Sequence, residues 1–217
     1  MNATSLLVSV PAAGVELEGE LVVPADPVGI ALFAHGSGSS RHSPRNMLVA
    51  GRLHGSAIGT LLFDLLTRHE ELDRANVFDV ELLGRRLHAV ASWLRGQPEA
   101  EGLPIGYFGA STGAAAALWS AAQPDAQIAA VVSRGGRPDL AAPLLPDVTA
   151  PTLLVVGGMD SAVLELNRQA ARLLGGEHAV AVVPGATHLF EEKGALEEVA
   201  RLASAWFGTH FVAAGAG

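Results

Sequence analysis

Residues 109 to 113 read Gly-Ala-Ser-Thr-Gly, directly after the apolar run Leu103–Phe108 and directly before the Ala-rich run Ala114–Ala122. A G-x-S-x-G pentapeptide at a strand-to-helix junction folds into a turn so tight that its serine adopts a strained backbone and lifts its hydroxyl above the sheet edge. Gly109 and Gly113 suit positions where a branched side chain would not fit. Ser111 is therefore a candidate nucleophile. The plainer alternative is an ordinary turn in which Ser111 or Thr112 caps the helix, and the chain has 25 glycines with which to build the pattern by chance. A serine hydroxyl attacks only when an imidazole takes its proton, and the imidazole needs a carboxylate to fix its tautomer.

Both partners follow Ser111 in the order nucleophile, acid, histidine. The run Pro151-Thr-Leu-Leu-Val-Val-Gly-Gly-Met-Asp160 is a buried strand ending in a Gly-rich turn and a carboxylate. The run Ala179-Val-Ala-Val-Val-Pro-Gly-Ala-Thr-His188 is a strand ending in a Pro-Gly loop and a histidine. Both polar residues lie just past the carboxyl ends of strands, the edge where open α/β sheets bind ligands. Asp160 also reads as a simple helix cap, and Asp139 competes with it as the acid. The Gly-Gly turn favours Asp160. Of the eight histidines, only His178, His188 and His210 follow Asp160. His178 opens a strand at the opposite edge, and His210 is expected in a C-terminal tail.

The acyl intermediate's oxyanion needs backbone N–H donors. The strand Ile30–Ala34 leads into His35-Gly-Ser-Gly-Ser-Ser40, a Gly-rich loop whose amides are free to point at an anion. The expected donors are the N–H of Thr112, aided by the helix N-terminus, and the N–H of Ser37, with Gly38 as second choice and Gly36 lining the same loop. A nucleotide-phosphate loop is disfavoured, because the third glycine and the Gly-Lys-Ser/Thr ending are missing.

With these residues in place, the chain resembles the α/β-hydrolases, and most closely their dienelactone-hydrolase-like branch. The matching residues are His35-Gly36-Ser37-Gly38, Gly109-Ala110-Ser111-Thr112-Gly113, Gly157-Gly158-Met159-Asp160 and Pro184-Gly185-Ala186-Thr187-His188. One departure matters: dienelactone hydrolase proper uses a cysteine nucleophile, and this chain has no cysteine. The resemblance therefore implies the fold, a hydrolase class and a triad geometry, but not the dienelactone substrate. Residues His35–Asn46 and Val131–Asp139 also resemble small bacterial hydrolases sometimes fused to a phosphoribosyltransferase domain. No such domain is expected within these 217 residues.

The elements that must position the site are legible as patterns. Residues 5–10 and 15–23 alternate polar and apolar, which marks an edge hairpin with one solvated face. Ile30–Ala34, Gly59–Leu65, Ile105–Phe108, Ile128–Ser133, Thr152–Val156 and Ala179–Val183 are continuous apolar runs, the mark of parallel strands covered on both faces. Helical patterns fall at Arg45–Ile58, Val77–Arg95, Thr112–Ala122, Val163–Leu174 and Ala195–Phe207, and Val212–Gly217 reads as a frayed tail. The expectation is one α/β domain over residues 1–217: a mostly parallel sheet of about eight strands, helices on both faces and an antiparallel N-terminal hairpin. Arg134–Ala150 is too short for a cap domain, so an open, shallow site is expected.

Net charge is −8 with no basic cluster, which argues against nucleic acid. No stretch of roughly 18 uncharged apolar residues suggests a membrane span, and Met1-Asn-Ala-Thr-Ser does not read as a signal peptide. The absence of cysteine suits a cytoplasmic protein. No metal or cofactor is expected: His35, His42 and Asp64 lack a ligand spacing. Arg134 and, after it, Arg41 are candidates to hold an anionic part of a substrate. The reading is a serine carboxylesterase acting on small soluble esters or lactones, as a monomer or homodimer. Thioesterase, acyltransferase or peptidase activity on the same triad, or a non-catalytic regulatory module, are the alternatives.

Overall fold

A computed structural model describes residues 3–215. Its sheet has eight strands in the order β1-β2-β4-β3-β5-β6-β7-β8. These are β1 (Ala3–Ala12), β2 (Val15–Pro24), β3 (Gly29–Ala34), β4 (Ile58–Phe63), β5 (Ile105–Ala110), β6 (Ala130–Arg134), β7 (Thr152–Gly157) and β8 (His178–Val183). β1 pairs with β2, and β2 with β4, antiparallel; the remaining neighbours are parallel. The patterns explain the arrangement. Every residue of β3, β4, β5 and β7 is buried, as continuous apolar runs require, whereas β1 alternates and lies at an edge.

Six α-helices flank the sheet: α1 (Pro44–His54), α2 (Arg74–Phe78), α3 (Val80–Arg95), α4 (Thr112–Ala121), α5 (Ser161–Ala171) and α6 (Ala195–Gly215). Val49 and Leu53 of α1 pack with Val199, Ala203 and Phe207 of α6 on one face. Leu83 and Leu87 of α3, Ala115–Leu118 of α4 and Ala170 of α5 pack on the other. Helix α4 is buried nearly all round, which its alanines permit because they let neighbours approach closely.

Several boundaries differ from the sequence patterns, each for a local reason. The pattern at Val77–Arg95 is two helices, because Asp79 leaves the helix and caps α3 through Leu82 N–H at 2.9 Å. Helix α1 stops at His54, and Ala57 takes a positive φ of 58° before β4 begins. Asp64 and Leu65 fall outside β4, and Arg134 is the last residue of β6 rather than the first beyond it. The frayed tail is a correction: α6 continues to Gly215, so His210 is helical. Phe211 fixes it by stacking on Phe207 at 5.1 Å over the cleared backbone of Gly29 and Gly106. The remaining tail residues, Ala216 and Gly217, lie outside the described residues. No described helix is long and apolar enough to cross a membrane.

Candidate active site

Strand β5 ends at Ala110 and α4 begins at Thr112, so Ser111 alone makes the turn. It does so at φ 51° and ψ −119°, a conformation non-glycine residues rarely take and one that is costly unless the surroundings impose it. The surroundings do. Ser111 N–H donates to Arg134 O at 3.2 Å, and Ser111 O accepts from Ala114 and Arg137 N–H, both at 3.1 Å. A Cβ on Gly109 would overlap Ala114, and one on Gly113 would overlap the carbonyl oxygens of Ala34 and His35. The two motif glycines are where the backbones of strand, loop and helix meet. The Ser111 hydroxyl does not cap α4.

His188 lies in the loop after β8, with its side chain 39% exposed. Its Nδ1 is 2.7 Å from Asp160 Oδ2, which leaves Nε2 as the free ring nitrogen. Asp160 sits at the N-cap of α5 without capping it, so its carboxylate is given to the histidine. The rival acid, Asp139, is held bidentately by Arg137 at 2.8 Å on both oxygens. The His188 loop is pinned by buried Phe190 and by Thr187, whose hydroxyl donates to Glu192 at 2.6 Å and keeps that carboxyl below its ordinary pKa. No hydrogen bond joins Ser111 to His188 among the described residues. Gly135 brings them to one edge: it follows the Arg134 that holds the Ser111 backbone, and a Cβ on it would be 3.5 Å from His188 Cε1.

The β3 loop closes the near side. A Cβ on Gly36 would lie 3.1 Å from Ser111 Cβ, and Gly38 turns the loop at a φ of 68°. His35 is structural: its Nε2 accepts from Leu65 N–H at 3.1 Å, tying this loop to the one after β4. The Ser37 N–H is engaged, donating to Thr112 Oγ1 at 2.9 Å. A cleft of about 540 Å³ opens here, lined by His35, Ser37, Arg45, Leu65, Val77 and Thr112 among others. Ser111, Asp160 and His188 are not among its lining residues, so it adjoins the candidate triad rather than enclosing it. Part of its wall comes from Glu71 and Val77, in the stretch between β4 and α3. That stretch folds as a 3-10 turn (Glu70–Leu72) and α2, of which only Val77 and Phe78 fall within the expected helical pattern.

The two candidate arginines differ sharply. The Arg41 guanidinium pairs with Asp64 and, at 2.6 Å, with Glu18, so its charge is spent bracing the loop against β2. Arg134 has no carboxylate partner among the described residues, although its side chain is only 9% exposed. No group of three or more metal-ligating side chains occurs among the described residues.

A doubly covered, mostly parallel sheet, with a G-x-S-x-G turn after β5 and an aspartate–histidine pair after β7 and β8, defines an α/β-hydrolase fold. The family model of the dienelactone hydrolase family matches residues 68–210, and the chain belongs to that family of hydrolases. A dienelactone hydrolase from Anabaena variabilis superposes with a TM-score of 0.92 at 50% identity, covering 96% of this chain and 98% of that one. Est1E from Butyrivibrio proteoclasticus shares the fold alone, with a TM-score of 0.79 at 16% identity over 95% of this chain and 99% of that one. A Mycobacterium tuberculosis protein provisionally named a phosphoribosyl transferase is 59% identical over 208 residues, 96% of this chain. The chain spans about half the length of that relative, 47%.

Proposed function

We propose that the protein is a serine esterase in which Ser111, His188 and Asp160 act as a triad on small soluble esters or lactones. The observation that carries this reading is the 2.7 Å Asp160–His188 hydrogen bond at the edge where Ser111 is held at a positive φ. In this mechanism Ser111 Oγ attacks the ester carbonyl while His188 Nε2 takes its proton, and Asp160 stabilises the imidazolium. The Ser111–His188 hydrogen bond is made as substrate enters, as such contacts commonly tighten only in the complex. The oxyanion lies against the N–H of Thr112 at the start of α4 and displaces the Thr112 hydroxyl from the N–H of Ser37. Alcohol leaves with the proton held by His188, and water then attacks the acyl-enzyme through the same base. Gly36 and Gly38 let the β3 loop approach, and the cleft beside Thr112 receives the substrate. The want of cysteine suits a reducing cytoplasm, where we place the enzyme.

A fluorophosphonate probe tests the reading directly. The protein should be labelled, Ser111→Ala should abolish both labelling and ester turnover, and Asp160→Asn should lower kcat by roughly 10³–10⁴. An unlabelled wild type, or labelling that survives Ser111→Ala, refutes it. A parallel panel of ester, thioester and amide substrates separates esterase from thioesterase and peptidase.

A further inference from the structure

Arg134 is the charged group at this edge that the ester chemistry leaves unused. It closes β6 in register with Ala110 and Val155, one hydrogen bond from the Ser111 backbone. Side chains alternate along a strand. Ala130 and Val132 belong to the α1–α6 face, and Arg134, two residues on, faces the same way. Its Nε and Nη1 are both buried without a partner, so Nη2 is the corner of the guanidinium that still meets open space.

A buried cation normally takes a carboxylate, because removing it from water alone is costly. The chain has 22 acidic residues to 14 basic ones and places none of them on Arg134. What faces it is a second cation, Arg45, in the first turn of α1. The Arg45 Nε is itself buried and unpartnered, and its Nη1 is 3.2 Å from a Glu191 oxygen on the His188 loop. Burial, and then repulsion from Arg45, lower the Arg134 pKa to about 10, so it stays charged near neutrality. The N-terminus of α1 adds a third positive end: Pro44 fills its first position and the Ser43 side chain accepts only from Asn46 N–H.

We propose that Arg134 and Arg45, beneath the N-terminus of α1, form an anion subsite that takes a phosphate group carried by the ester substrate. The inference rests on the esterase reading above. The donor count favours phosphate over a carboxylate. Arg134 offers the open Nη2 corner of a guanidinium that no carboxylate neutralises, and Arg45 offers a second, partly exposed guanidinium, so a compact group with several oxygens can bridge the two. A dianion balances both guanidinium groups, and Glu191, whose side chain is 65% exposed, is free to swing aside. Gly135 sets the subsite against His188, so a bound phosphate would orient the acyl or alcohol part toward Ser111.

Inorganic phosphate is the probe, with 4-nitrophenyl acetate as a neutral reporter ester. At constant ionic strength, phosphate should compete with the ester, and succinate should compete at least about tenfold more weakly. Arg134→Gln should raise the phosphate inhibition constant by roughly tenfold or more, with Arg45→Gln acting in the same direction. Phosphate should also raise the melting temperature of wild type and of Ser111→Ala, but not of Arg134→Gln, a readout that needs no turnover. Equal competition by succinate, or phosphate inhibition and stabilisation undiminished in both arginine variants, overturns the subsite. Fluorophosphonate labelling separates the two failures. A labelled, active enzyme indifferent to phosphate loses only the subsite. An unlabelled protein whose melting still responds to phosphate through Arg134 loses the esterase reading and keeps the anion site.

Discussion

Replacing Arg134 by methionine should make the protein more stable. Burial and the facing Arg45 hold the Arg134 pKa down at about 10, well below an ordinary arginine. That depression corresponds to roughly 3 kcal/mol against the charged form in the folded state. The sign follows from linkage: a cation whose folded pKa is depressed weakens the fold at every pH where it is charged both folded and unfolded. The penalty fades only as pH rises through about 10. Methionine keeps an apolar stem and removes the charge; even paired buried charges are often replaced by apolar groups with no loss or a gain of about 1–4 kcal/mol, and Arg134 has no carboxylate to lose. For a chain of this size each kcal/mol shifts the melting temperature by roughly 2–4 °C, so a rise of about 5–10 °C is expected. The assay is thermal and urea unfolding in phosphate-free buffer between pH 6 and 11. The gain should be level to about pH 9 and shrink above pH 10. Phosphate at ten times its Kd should return about 1.4 kcal/mol to wild type and nothing to the methionine variant. A methionine variant that melts lower than wild type, with no pH dependence to the difference, would show that Arg134 is satisfied where it lies.

Three further perturbations probe the scaffold. Gly113→Ala should cost at least about 2 kcal/mol in urea unfolding, because its Cβ meets the Ala34 and His35 carbonyl oxygens, which cannot move aside; a loss below about 0.5 kcal/mol would mean the loop gives way. Tyr107 is fully buried and its hydroxyl lies 2.8 Å from Ser120 Oγ, so Tyr107→Phe should cost about 1–3 kcal/mol by stranding the serine. Adding Ser120→Ala should recover part of that loss, and strict additivity would contradict the pairing. His54 ends α1 against Thr60 at 2.8 Å, and desolvation, opposed by Glu20, lowers its pKa. The unfolded chain therefore takes the proton first, and stability should fall as pH drops below about 6.5. His54→Gln should flatten that slope between pH 7 and 5, and an unchanged slope would assign it to other groups.

How far the sequence could be read depended on whether a feature was local. The parallel strands were legible because β3, β5 and β7 are covered on both faces, and that leaves unbroken apolar runs. The tight turn was legible because a backbone crossing demands Gly109 and Gly113 within one pentapeptide. Boundaries were lost where a single side chain outweighs the pattern. Asp79 caps α3 and splits a continuous helical periodicity. Phe211 carries α6 past a stretch whose composition reads as a tail. The cleft wall was legible at Val77, where a helical pattern begins, but not at Glu71, which sits in a three-residue 3-10 turn too short to show a period. The arginines show the same limit from the side of charge. Arg41, past the β3 loop, and Arg134, at a strand end, were both open to a substrate role, but one meets Asp64 and Glu18, and the other has no carboxylate partner among the described residues and feels Arg45. Pairing across the fold is a tertiary fact, and no spacing rule encodes it.

That contrast bears on why Arg134 is unpaired at all. Arg41, Arg86 and Arg137 each find a carboxylate at 2.8 Å or less, so the chain is well able to neutralise arginines where structure alone is at stake. A carboxylate within reach of Arg134 would lie beside Ser111 and His188. It would repel any anionic substrate and favour the protonated imidazole, which cannot act as a base. Leaving the cation unpaired keeps Asp160 as the carboxylate that pairs with His188 among the described residues and orients it. It costs the free protein stability that a bound anion restores. The strain at Ser111 and the unpaired charge at Arg134 are then two faces of one arrangement, joined by the hydrogen bond from Ser111 N–H to Arg134 O. Relieving either should stabilise the fold and weaken the site, whereas a change remote from this edge should separate the two effects.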